Sequence, residues 1–136
     1  MDIDANFKEL PKFVDDRGFL IEFLKSTELE KKEFGQIYIA TLAPGRMRGN
    51  HFHADKNEWL AITQGKAKIA LEHVETKERK ELEVDANAEN IVRVRILPNV
   101  AHAIKNISDT PLVIVAYTEK LYNPETVHQE HYTVLE

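Results

Sequence analysis

Gly45-Arg46-Met47-Arg48-Gly49-Asn50-His51-Phe52-His53-Ala54-Asp55-Lys56-Asn57-Glu58, running on through Trp59-Leu60-Ala61-Ile62-Thr63-Gln64 to Gly65, is the stretch of this chain in which fold and chemistry are written together. Five residues separate Gly45 from His51, one separates His51 from His53, four lead to Glu58 and six more to Gly65. If His51-Phe52-His53 is extended, side chains two apart point the same way, so the imidazoles share a face. The polar run Ala54-Asp55-Lys56-Asn57 can turn the chain and bring Glu58 back beside them. Two imidazoles and a carboxylate form a donor set suited to a divalent transition ion. His102, 44 residues beyond Glu58 and between two apolar runs, is a fourth candidate. Taken singly, a histidine in a β-protein is more often a hydrogen-bonded structural residue. The spacing of the whole set is what points to ligation.

Around this stretch the texture is short strands and turns. Residues 19–24, 36–42, 58–63, 66–73, 80–84, 91–96 and 112–118 are rich in β-branched or aromatic side chains. Ala67, Ile69 and Leu71 alternate with Lys66, Lys68 and Ala70, and Val92, Val94 and Ile96 alternate with Arg93 and Arg95. Period two with one polar face predicts antiparallel sheet, packed on one side and wet on the other. Glu75–Glu78 reads as a hairpin connection. Residues 26–34 form the one plausible short helix, with Ser26 or Thr27 as N-cap and Glu30 placed for a capping box. The reading is an all-β domain, most economically an antiparallel double-sheet jelly roll.

Composition narrows the classes. The 136 residues suit a single domain over 1–136, and 43% hydrophobic residues supply a core. The net charge is −5 with no visible basic face, so nucleic-acid binding has little support. With no cysteine, disulfides and thiolate ligation are excluded. No stretch approaches the roughly 20 apolar residues of a membrane span, and the first ten residues carry no apolar signal core. A cytoplasmic protein is the expectation.

Gly-x5-His-x-His-x4-Glu-x6-Gly is the first motif of the cupin superfamily, and the chain resembles it at every fixed position. The second cupin motif, Pro-x-Gly-x2-His-x3-Asn, is echoed by Pro98, His102 and Asn106, although the glycine is missing and the Pro-to-His gap is one residue short. The turn before His102 must therefore differ from the usual one. Asp16-Arg17-Gly18-Phe19-Leu20-Ile21-Glu22 and Arg48-Gly49-Asn50-His51 resemble stretches of the dTDP-4-dehydrorhamnose 3,5-epimerases. Closer still is the C-terminal cupin domain of capsular polysaccharide-synthesis enzymes, which Gly35-Gln36-Ile37-Tyr38, residues 44–53, Lys56-Asn57-Glu58 and Tyr122-Asn123-Pro124-Glu125 resemble. The dTDP-sugar 3,4-ketoisomerases are similar at Arg-Gly-x-His-x-His.

These resemblances imply a cupin-type double-stranded β-helix and a nucleotide-linked 4-keto-6-deoxyhexose as substrate, epimerised or isomerised by proton removal next to the ketone. They imply a metal site of His51, His53, Glu58 and His102, holding zinc, iron, manganese or nickel, with no organic cofactor. His51, Arg48 and Tyr122 carry over as catalytic residues. His51 would be base or ligand but not both, and ligation is favoured because His53 and Glu58 are otherwise unexplained. Tyr117 and Tyr38 are further candidates for the acid, because the epimerases pair two tyrosines where this chain has Leu121-Tyr122. Arg17, Glu22, Lys56 and Tyr38 would contact the substrate. A second class stays open: another metal-dependent cupin, either a small-molecule dioxygenase or a ligand-binding sensor module. A homodimer is expected, with the segment around residues 16–24 as the exchanged or edge-pairing element. Trp59 is expected in the core, and His73, His128 and His131 at the surface.

Overall fold

The computed structural model describes residues 2–31, 33–121 and 129–136. Strands β1 (Phe7–Pro11), β2 (Phe13–Asp15), β3 (Gly18–Leu20), β4 (Gln36–Leu42), β5 (Met47–His53), β6 (Glu58–Gln64), β7 (Lys66–His73), β8 (Arg79–Asp85), β9 (Asn90–Ile96), β10 (Val100–Asn106), β11 (Leu112–Thr118) and β12 (Gln129–His131) follow in chain order. Two five-stranded antiparallel sheets form, β1-β9-β6-β11-β4 and β12-β5-β10-β7-β8, while β2 and β3 pair as a separate ribbon. This is the expected all-β, antiparallel jelly roll. Helix among the described residues is confined to two 3-10 turns, Ile3–Asn6 and Ser26–Glu28, and no described helix is long and apolar enough to cross a membrane.

Alternation builds the core. Leu60, Ile62, Val94, Ile96, Leu112 and Ile114 from one sheet meet Ala67, Ile69, Leu71, Val84, Val100 and Ile104 from the other. Each turns the opposite face of its strand outward, as period two requires.

The outer faces depart from the expectation of one wet side. Ala70, Ala101 and Ala103 are fully buried because Val134 and Leu135 lie over them. On the other sheet, Ile21 and Phe23 pack against Leu10, Ala61, Ala86 and Ile91. Arg93, expected to face water, is only 7% exposed. It donates to Phe23 O at 2.9 Å and pairs with Glu28.

That pairing also explains why the described residues of 26–34 form no helix beyond Ser26–Glu28. Glu28 and Glu30 reach the sheet arginines Arg93 and Arg95 instead of capping a helix, and the turn has no side-chain cap. Residues 21–24 are likewise not strand; the paired part ends at Leu20. Trp59 is buried at 1% exposure between Arg95 and Tyr117, as a core residue should be.

Candidate functional site

β5 and β10 are neighbours, and His51 lies directly opposite His102 in their register. His53, two residues on, presents its ring from the same face of β5. The ring centroids of His51 and His102 are 4.6 Å apart, those of His51 and His53 5.1 Å, and those of His53 and His102 5.8 Å. One nitrogen from each of the three lies within 4.8 Å of the others. The turn before His102 does differ from the cupin pattern: Asn99, beside Pro98, takes a φ of 64°, supplying the left-handed residue that a glycine otherwise would.

The three imidazoles are held neutral. Burial is the main cause for each, lowering His51 to about 4, His53 to about 3 and His102 to about 4. Lys56 and the neighbouring rings push in the same direction, while Glu58 opposes it at His51 and the Val100 carbonyl opposes it at His102. His102 Nδ1 lies 3.2 Å from Val100 O. A carbonyl only accepts, so Nδ1 carries the hydrogen and Nε2 keeps its lone pair. His53 Nδ1 is buried with no hydrogen-bond partner. Neutral imidazoles with free lone pairs and an orphaned buried nitrogen fit a divalent cation.

Glu58 is buried at 5% exposure but is not grouped with the three nitrogens. Its Oε1 accepts a hydrogen bond from the Tyr38 hydroxyl at 2.5 Å. Burial, then the Glu58 carboxylate, pushes the Tyr38 phenol well above its usual range, so it remains protonated.

These residues line a cavity of about 630 Å3 between the sheets. Tyr38, Arg48, Lys56, Glu58 and all three histidines face it. Arg48 is fixed by Nε and Nη2 bonds to Thr41 O at 3.2 and 3.1 Å. Arg17 and Glu22 do not line it: Arg17 pairs with Asp15 and Glu22 with Lys25. Tyr117 is turned to the other face, where its hydroxyl accepts from Gly35 N. Tyr122 lies outside the described residues, as does His128. His131 is on β12, exposed, opposite His51 in register.

The sequence reading passed over Gln36, Thr118, Gln129 and Asn50. The first three line the cavity; Gln36 lies in the Gly35-Gln36-Ile37-Tyr38 stretch, which marked Tyr38 alone for the substrate, and no motif marks Thr118 or Gln129. Asn50 is the extra residue of a bulge; it stands in the Arg48-Gly49-Asn50-His51 stretch, and the Gly49-Asn50 dipeptide inside an otherwise extended run is the local signal of the bulge.

The family model of the polysaccharide biosynthesis C-terminal domain matches residues 13–129. The chain belongs to that family. It is 30% identical over 121 residues to the spore coat polysaccharide biosynthesis protein SpsL of Bacillus subtilis, covering 87% of this chain and 80% of that protein. The capsular polysaccharide assembling protein CapF of Staphylococcus aureus superposes with a TM-score of 0.69 at 30% identity, over 92% of this chain and 34% of CapF. The family chain described here thus spans about a third of CapF. A dTDP sugar isomerase from Desulfovibrio desulfuricans G20 shares the fold, with a TM-score of 0.78 at 18% identity over 93% of this chain and 82% of its own.

Proposed function

We propose that this chain is a sugar-nucleotide epimerase or isomerase that removes the proton next to the ketone of a nucleotide-linked 4-keto-6-deoxyhexose. The observation that carries the reading is the joining of three neutral imidazoles, a fixed arginine and a protonated phenol in one cavity. A proton α to a ketone is released only if the developing enolate is stabilised and the proton acceptor is well placed. His51, His53 and His102 would hold a zinc, iron, manganese or nickel ion, with Glu58 joining if it leaves Tyr38. Such an ion, when bound, polarises the ketone oxygen as a Lewis acid. Arg48 sits at the cavity wall, and the partner that its guanidinium bonds is a neutral carbonyl, with no ion pair to it among the described residues. Tyr38 is the described phenol that lines the cavity and can return a proton, and the Glu58 carboxylate, while it is bonded to Tyr38 rather than to the ion, is the acceptor for the proton removed. Lys56 adds a second cation to the wall for an anionic substrate.

The reading extends to a homodimer in the cytoplasm. β1, β8 and β12, the other sheet edges, carry charges or proline. β4 is an edge with no charged residue, and Ile37 and Ile39 stand 56% and 71% exposed on it. Such an edge invites strand pairing. Phe13, Val14, Phe19 and Leu20 are equally uncovered on the β2–β3 ribbon. Exchange of that ribbon between two copies would cover both surfaces and carry Arg17 away from its position outside the cavity. Sedimentation at micromolar concentration tests this, with Ile39→Lys expected to give monomer.

The decisive experiment is metal analysis of the purified protein followed by deuterium uptake from solvent into a panel of dTDP- and UDP-linked 4-keto sugars. Uptake at the carbon next to the ketone supports the proposal. Bound metal with no uptake from any of them overturns it in favour of a binding or sensor cupin.

A further inference from the structure

In a regular strand, residues three apart face opposite sides, yet Arg48 and His51 line the same cavity. The ladder between β5 and β10 shows how. His102 pairs with His51, but the next residue, Ala103, pairs with Gly49, leaving Asn50 as an inserted residue. Beyond it Arg48 lies opposite Ile104, whose side chain is in the core between the sheets. Met47, on the other parity, packs with the outer cluster of Ala70, Ala101 and Ala103. The bulge therefore resets the alternation so that Arg48 and His51 face inward together.

The bulge requires left-handed backbone at two successive residues, φ 102° at Gly49 and 56° at Asn50. What holds Asn50 there is the segment of residues 132–135. Asn50 Oδ1 accepts from Val134 N at 2.8 Å and Leu135 N at 3.1 Å, and Nδ2 donates to Leu135 O at 3.0 Å. Tyr132 N donates to Asn50 O at 2.8 Å. The segment is anchored independently of Asn50: Val134 and Leu135 are buried on the alanine face, and Arg79 donates to Val134 O at 2.7 Å.

We propose that Asn50 is a positioning residue: with residues 132–135 it forms a clamp on the outside of the sheet that fixes the inward direction of His51 and Arg48. The catalytic consequence rests on the function proposed above; the placement rests on this geometry alone. A residue that merely tethered the 132–135 segment would, when lost, lower stability and leave the cavity side chains where they are.

The test uses nitrogen-15 side-chain resonances of His51, His53, His102 and Arg48 in the metal-free protein, for the parent, Asn50→Gly, a chain ending at Thr133, and the two changes combined. Glycine keeps positive φ without strain, so only the side-chain bonds are lost. Each single change is expected to shift or broaden His51 and Arg48 more than His102, and the combined variant is expected to move them no further than either alone. Asn50→Asp, which keeps the acceptor for Val134 and Leu135, is expected to remain near the parent. Val134→Ala with Leu135→Ala, which trims the burial but keeps the backbone bonds, is expected to lower stability with little movement of His51. Unmoved His51 and Arg48 resonances in Asn50→Gly, or additive shifts in the combined variant, overturn the clamp. No metal or substrate enters the measurement, so a parent that takes up neither metal nor deuterium refutes the proposed function without touching this result.

Discussion

Tyr38 and Glu58 are joined by a 2.5 Å hydrogen bond although their strands are not neighbours: β11 runs between β4 and β6. The bond crosses above Ala116, which is opposite Tyr38 in register and leaves room for it, and reaches Glu58 opposite Thr118. Glu58 thus has a committed partner in the metal-free chain. Tyr38→Phe leaves a buried carboxylate without it, and the metal-free variant should lose about 1–3 kcal/mol in urea denaturation. With saturating zinc the deficit should narrow, because Glu58 then has a cation to meet. A deficit that zinc leaves unchanged would remove Glu58 from the ligand set.

Metal uptake should persist in acid further than free histidine predicts. An unperturbed imidazole near 6.5 would make occupancy fall from that pH downward. Here burial keeps His51 and His102 neutral to about 4 and His53 to about 3. Competition from protons therefore sets in only near pH 4–5, and isothermal titration at pH 7, 6 and 5 should show nearly constant affinity after correction for buffer protons. A fall of roughly fivefold per histidine between pH 6.5 and 5.5, which unperturbed imidazoles would give, would contradict the burial that the structure gives them.

The same shifts act on folding with a definite sign. Between the unfolded value of about 6.5 and the folded values of about 3 to 4, the unfolded chain binds more protons than the folded one. Stability is at its full value above about pH 6.5 and falls as pH drops toward 4. His102, fully enclosed, contributes up to about 1.4 kcal/mol per pH unit in that window. His102→Gln should flatten the acid limb of the urea midpoint against pH, and an unchanged limb would show that His102 is not buried neutral.

Alternation made the sheets legible from sequence: Ala67, Ile69 and Leu71 on β7 and Val94 and Ile96 on β9 do face the core. The histidine pair was legible for the same reason, since His51 and His53 are two apart in an extended run. What the sequence hid was whatever depends on a partner far along the chain. Arg93 reads as a wet position, yet residues 23 and 28 cover it. Residues 26–34 have a capping-box pattern, but the acids that would cap are taken by sheet arginines. Arg48 and His51 have the wrong parity for one face until the Asn50 bulge is known, and a bulge has no periodicity to read. The exposed Arg17 and Glu22 were placed at the substrate by resemblance, and their own chain holds them elsewhere.

At Gly49, β5 runs close against β10. A Cβ at this position would lie 2.5 Å from His102 O and 2.9 Å from Ala103 Cα, on a φ of 102°. Neither contact is a flexible side-chain end, so β10 itself must give way. Gly49→Ala should cost at least about 2 kcal/mol, the sum of left-handed strain and overpacking. Because the displaced carbonyl belongs to His102, zinc affinity should fall alongside the thermal midpoint. Lost stability with parental zinc affinity would mean that His102 is not a ligand.

Three cations bear on the substrate reading, and their surroundings separate their roles. Arg17 is paired with the Asp15 carboxylate and stays outside the cavity. Arg48 is fastened by two bonds to one neutral carbonyl, so its position is fixed while its charge remains available. Lys56 lines the cavity on the polar turn between β5 and β6. A cation held in place beside developing enolate charge acts mainly on the transition state, and removal of one such group typically slows turnover by about 10²–10³-fold. Arg48→Met should therefore lower kcat for solvent deuterium exchange by roughly that factor, with KM little changed. Lys56→Met should raise KM and spare kcat, because contacts to phosphate oxygens are alike in ground and transition states. Should the two variants exchange these signatures, Arg48 is the phosphate contact and Lys56 the group nearer the ketone. Should both leave kcat and KM at parental values, the reacting sugar does not sit in this cavity.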